Sequence, residues 1–164
     1  MAHFLNRAPA GFPGAITRPD ETVVESAMMN PDPDKVPRAF GDAVKMVDGK
    51  LERIAAGDTG AQVYGVLART TPSIAGDMGQ TFADAKPDSA QLQGVVVKGY
   101  VNVRCPTGNP ARGAAVYIRK NETSTVKAGE FSATAGANFD QLPRAVFAEA
   151  GKDGENIAEI RLHI

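Results

Sequence analysis

The chain has 164 residues, 43% of them hydrophobic, with 18 Lys+Arg against 19 Asp+Glu and a formal net charge of -1. That length suits one domain able to bury roughly two-thirds of its unfolded surface, and the near-zero charge excludes a global field that would hold nucleic acid or an anionic membrane. The single cysteine, Cys105, excludes an internal disulfide and a thiolate zinc site.

Residues 1–39 read as an extended arm. Six of the eleven prolines, Pro9, Pro13, Pro19, Pro31, Pro33 and Pro37, fall there, and proline fixes φ and removes a donor, which opposes helix and central strand alike. Phe4, Leu5, Phe12, Ile16, Val23, Val24, Met28 and Met29 are spaced along the same stretch, more apolar surface than a solvated tail needs. Two readings follow. Either the arm packs across its own domain, or Phe4, Leu5, Arg7, Phe12, Ile16 and Arg18 lie against a neighbouring subunit. NPDPDKVP at 30–37 is a rigid polar hinge, and a β domain is expected over 40–164. The first residues, MAHFLNRAPAGFPG, lack the apolar core of a signal peptide, and no run approaches the roughly 18 apolar residues of a membrane span. The protein is therefore expected to stay in the cytosol where it is made.

From Phe40 the texture is strand and turn. In AVKMVDGKLERI the pair Asp48-Gly49 separates two short segments, the signal of a type I′ hairpin, whose two central residues need positive φ; a helix over Lys50–Ala56 is the rival reading. QVYGVLAR at 62–69 predicts a third strand. The loop from Pro72 to Leu92 carries Gly, Asp, Ser and Pro without periodicity, and its length suggests an interaction loop. VVVKGYVNVRC at 95–105 is the longest apolar segment and alternates throughout, Val95, Val97, Gly99, Val101, Val103 and Cys105 against Val96, Lys98, Tyr100, Asn102 and Arg104. This is the period of a half-buried strand, with Cys105 as a small buried hydrophobe. Val96, Tyr100 and Arg104 on its polar face are candidate contacts, although packing under a second sheet serves Val96 and Tyr100 at least as well. Ala114–Arg119 follows a Pro/Gly connection as a natural antiparallel partner.

Asn121 to Ala137 reads as a loosely pinned hairpin anchored by Val126 and Phe131, and Ala145–Ala148 as a short apolar piece. The last segment alternates Ala158, Ile160, Leu162 and Ile164 against Ile157, Glu159, Arg161 and His163, a strand with one face inward. No period of 20 to 50 residues repeats, so short strands at regular spacing point to a barrel or sandwich.

Catalytic signals are nearly absent. His3 and His163 stand far apart with no spacing that gathers metal ligands or a general base. PTGNPARG at 106–113 lacks the Gly-Lys-Ser/Thr ending of a phosphate loop. Asn121-Glu122-Thr123 matches a glycosylation triplet in form alone, and Asp20, Asp32 and Asp34 read as solvation and turn chemistry beside prolines. No catalytic residue, cofactor or metal is expected.

Taken in order, FLNRAPAGFPGAITRP at 4–19, AAGDTGAQVYGVLAR at 55–69, KGYVNVR at 98–104, ARGAAVYIR at 111–119, FDQLPRAVF at 139–147 and the alternating C-terminal strand resemble the structural cement, or capsid decoration, proteins of tailed phages. No single motif carries chemistry; their succession with similar gaps carries the likeness. The resemblance implies a mainly β fold, a small β-barrel or jelly-roll-like domain with an extended N-terminal arm. It also implies a virion protein bound to the outer surface of the major capsid protein shell at capsomer junctions, in several copies of itself. No direct contact with nucleic acid or membrane is implied. The alternative is a small β-barrel module for a ligand or carbohydrate, expected to show clustered exposed aromatics around a pocket.

Overall fold

The computed structural model describes residues 11–69, 86–123 and 127–163. The fold is mainly β. Nine strands are formed among the described residues: β1 (Val23–Met29), β2 (Ala43–Val47), β3 (Lys50–Arg53), β4 (Gly65–Leu67), β5 (Leu92–Arg104), β6 (Ala115–Arg119), β7 (Phe131–Ser132), β8 (Phe139–Phe147) and β9 (Ile157–Leu162). Their order is β1-β3-β2-β4-β5-β9-β8-β6-β7, and β1 also pairs with β5. That second pairing closes β1, β3, β2, β4 and β5 into a five-stranded barrel, while β9, β8, β6 and β7 extend a second sheet from β5. Only β1–β3 is parallel among the strand pairings.

The expected hairpin is present. Asp48 at φ 49 and Gly49 at φ 75 join β2 to β3, so the helix reading of Lys50–Ala56 falls away. The third strand is shorter than expected: Gly60–Gln62 is a 3-10 turn, and β4 keeps only Gly65–Leu67. The apolar piece at Ala145–Ala148 is largely the end of β8.

Two cores lie on opposite sides of the barrel wall, and adjacent residues of one strand feed both. Val44, Leu67 and Val95 join Met29, Phe40 and Leu51 in one cluster, whereas Ala43, Val66 and Val96 join the second sheet in the other. A wall buried on both faces calls for consecutive apolar residues, not alternation. Val96, for which packing under a second sheet stood beside a contact role, is fully buried for this reason.

Gly99 is where β5 passes from barrel to second sheet. Its φ is +111, and a Cβ there would stand 2.5 Å from Thr22 Cα. Before it, Val95 faces the barrel core and Val96 the inter-sheet core; beyond it, the odd-numbered Val101, Val103 and Cys105 have taken over the inter-sheet core. The continuous alternation in the sequence therefore conceals a switch of face. Ala115–Arg119 does not pair with β5; β6 lies between β7 and β8. Both edges of β5 are already occupied, by β1 and β4 in its first half and by β9 and residues 14–17 in its second.

Val23–Met29, inside the segment read as an arm, is a barrel strand hydrogen-bonded to β3 and β5. Prolines flank that strand but none falls within it. Cys105 is free and buried in the inter-sheet core, and burial pushes its thiol up from its usual range. Val126 and Ile164, the loop at 73–85, and His3 lie outside the described residues.

Candidate contact surface

Residues 11–22 run along β5 and are held by its backbone. Gly14 N–H donates to Asn102 O at 2.8 Å, Asn102 N–H to Ala15 O at 3.0 Å, and Ile16 bridges to Val101. Arg69 N–H donates to Gly14 O at 2.7 Å, which ties the same segment to the end of the barrel. The Thr22 hydroxyl accepts from Tyr100 N–H at 3.1 Å and donates to Arg18 O at 2.7 Å.

Arg18 and Tyr100, both predicted contact residues, are brought together. The guanidinium lies 4.0 Å from the ring centroid, and Tyr100 is 9% exposed. Arg18 also reaches Glu159 at 3.5 Å and Glu149 at 3.8 Å, and the Thr17 hydroxyl donates to Glu159. The register of β5 with β9 sets Tyr100 opposite Arg161 and Asn102 opposite Glu159, so this small polar network covers the face of the second sheet that turns away from the core. Ile16 packs against the inter-sheet core. Phe12 remains 43% exposed, with the Arg69 guanidinium 5.1 Å from its ring centroid. Phe4, Leu5 and Arg7 lie outside the described residues. His163 is exposed at the end of β9.

Arg104 stands apart from that network and lines a cleft of about 670 Å³. The walls come from residues 38–43, the ends of β3 and β5, Arg69, Lys86 and the stretch 127–131 leading into β7. Arg38, Arg53, Arg69, Lys86, Arg104 and Lys127 all contribute, against the carboxylates of Asp42 and Glu130. Phe40, Ile54 and Phe131 lie beside it but are buried in the two cores. Burial desolvates the Asp42 carboxyl and pushes it up to about 6, although the Ala39 and Arg38 N–H groups and the charges of Lys127 and Arg38 pull the other way. Burial likewise lowers the Arg69 guanidinium from its usual range.

Sequence reasoning missed this cleft because its cations are scattered singly between residues 38 and 127. One signal was available. Arg53 and Arg104 each end a strand and Arg69 follows another by two residues. A second unforeseen feature is a row across the outer barrel in which exposed apolar residues flank Lys50. Val47 faces Lys50, Lys50 faces Met28, and Met28 faces Leu92 across adjacent strands; Val47, Met28 and Leu92 are exposed.

Among the described residues no group of three or more His, Cys, Asp or Glu side chains could hold a metal ion, and no helix is long and apolar enough to cross a membrane. What the surface presents is cations, ion pairs and exposed apolar residues displayed on a two-core β body, the equipment of a structural protein that makes contacts. The comparisons agree with that class. A family model described as structural cement protein (E217 gp24/Pam3 gp6) matches residues 4–163, and the chain belongs to this phage structural cement family. A chain in the capsid of Myoviridae phage XM1 is similar in fold, with a TM-score of 0.69 at 18% identity over 97% of this chain and 94% of that one. The curated proteins gave no match. The resemblance and the mainly β barrel fold expected from the sequence both hold, and the chain is a structural protein of a phage capsid.

Proposed function

We propose that the protein is a cement that binds the outer surface of the major capsid protein shell at capsomer junctions and stabilises the DNA-filled head without catalysing a reaction. The family match over residues 4–163 carries this reading. Supporting it, the exposed row Val47, Met28 and Leu92 and the cationic cleft are surfaces of the kind that binding buries. Copies of the chain share each site, and residues 1–10, with Phe4, Leu5 and Arg7, reach a neighbouring subunit together with Phe12 and Arg18; Arg104 makes a separate contact from the cleft. An interface of roughly 800 Å² per partner, repeated over an icosahedral lattice, resists internal pressure as a sum of modest contacts. The carbohydrate-module alternative gains nothing from the cleft, whose lining has two phenylalanines and no Tyr or Trp.

The test uses expanded heads that lack the protein. Adding the purified chain should saturate the shell surface and raise the temperature at which packaged DNA escapes. Failure of the chain to bind such heads, or DNA release unchanged at full occupancy, removes the cement reading. Deleting residues 1–10 should weaken occupancy while leaving the fold intact; the deletion stops there because residues 14–17 are hydrogen-bonded to β5.

A further inference from the structure

The chain's formal net charge is -1, yet the cleft gathers six cationic side chains and two carboxylates, a formal excess of four positive charges. Concentrating like charges opposes folding unless something offsets the repulsion. Inside the protein that offset is partial. Glu122 accepts from Arg38 at 2.6 Å and pairs with Arg53 at 3.4 Å, and Arg69 is spent against the rings of Phe12 and Phe40. Lys86, Arg104 and Lys127 have no carboxylate within 4 Å among the described residues. Arg104 and Lys127 are exposed at the ends of β5 and of the 127–131 wall respectively.

We propose that this cleft seats an acidic, extended segment of the shell polypeptide, with Arg104 and Lys127 taking its carboxylates. The inference rests on the capsid-binding reading and names the chemistry of the partner at one site. A planar guanidinium suits bidentate pairing with a carboxylate. The volume falls within the roughly 300–1,000 Å³ of pockets that enclose a small ligand, which admits a short stretch of peptide and not a duplex. Glu130 and Asp42 in the same walls set repulsive charges against a continuous run of phosphates, whereas spaced carboxylates can settle between them.

Three measurements test this on the full chain. The first is binding of wild type, Arg104→Gln/Lys127→Gln and Arg104→Glu/Lys127→Glu to heads lacking the protein, at low and high salt. The second is binding of a fluorescent hexaglutamate peptide to the free chain. The third is competition of that peptide by a DNA oligonucleotide. Wild type should bind heads with salt-sensitive affinity, the Gln pair should lose about tenfold or more and the Glu pair more again, and hexaglutamate should bind wild type alone. Wild-type binding to heads that both pairs match overturns the cleft proposal and leaves the cement reading standing. Wild type failing to bind heads at all overturns the cement reading instead, and hexaglutamate binding by the free chain still decides whether the cleft takes carboxylates. Oligonucleotide binding more tightly than hexaglutamate makes the cleft a nucleic-acid seat and overturns the proposal. Should the Glu pair fail to fold, amide shifts of wild type titrated with hexaglutamate must move at Arg104 and Lys127, and shifts confined elsewhere refute it.

Discussion

Replacing Gly99 by alanine tests the joint on which the two lobes depend. The residue sits at φ +111, and its new Cβ would meet Thr22 Oγ1 at 2.4 Å, Thr22 Cα at 2.5 Å and Glu21 O at 2.7 Å. Holding a non-glycine residue at such a φ costs about 1–3 kcal/mol. The overlap with Thr22 involves backbone, which cannot turn away as a side chain can, and forcing a packed segment to shift adds about 1–3 kcal/mol. Together these give about 2–6 kcal/mol, a large share of a stability of about 5–15 kcal/mol. At about 2–4 °C per kcal/mol for a chain of this size, the expected fall in Tm is about 4–24 °C. Gly113→Ala is the matched control, because Gly113 has φ +78 with nothing within 4 Å of the added Cβ and so carries the backbone cost alone. Calorimetry of both variants against wild type isolates the overlap. If Gly99→Ala melts no lower than Gly113→Ala, the close approach of β5 to Thr22 has been misjudged and the account of the joint fails with it.

Phe147 is fully buried in the inter-sheet core, and Phe147→Ala should lower unfolding free energy by about 3–5 kcal/mol in urea titration; a loss under 1 kcal/mol would mean that the core is not packed around this ring. Asp42, whose carboxyl burial raises to about 6 from 3.8, binds a proton more tightly folded than unfolded, so its contribution is fully present below about pH 4 and is lost as pH rises through 6. The loss is about 3 kcal/mol at most, less because the side chain is only partly shielded from solvent; Asp42→Asn, which keeps an oxygen for the Ala39 N–H, should remove that fall from a stability–pH curve, and an unchanged curve would show the charge to be well solvated. Cys105, buried with its thiol shifted upward, should react with a disulfide reagent only after denaturation, whereas prompt labelling of the native chain would place it at the surface.

The parts of this fold that could be read from the sequence are those encoded locally. Asp48-Gly49 supplies its own turn geometry, and Ala158, Ile160 and Leu162 do face the core that their spacing implied. What escaped depends on contacts distant in sequence. For Val96 the sequence left packing under a second sheet beside an outward contact, and only the fold decides for the core; the pairing of β6 with β8 instead of β5 follows from β5 having both edges taken. A glycine within a strand pattern signals a bulge or close approach, but only the position of Thr22 reveals which. The candidate contact residues divide similarly. Arg18 and Tyr100 were each recognisable as candidates, while their meeting over one ring, and the cleft that Arg104 lines, arise from tertiary placement of residues tens of positions apart.

The 13-residue β5 belongs to both lobes. In most two-part proteins a linker absorbs relative movement; here the connecting element is itself a load-carrying member, flanked on both halves by hydrogen-bonded neighbours. A pull that separates the barrel from the second sheet along this strand loads the β5–β9 and β5–β1 ladders in shear, so their bonds resist together and do not open one after another. The molecule should therefore behave mechanically as a stiff tie and not as a tether, passing strain from one attachment point to the other with little give.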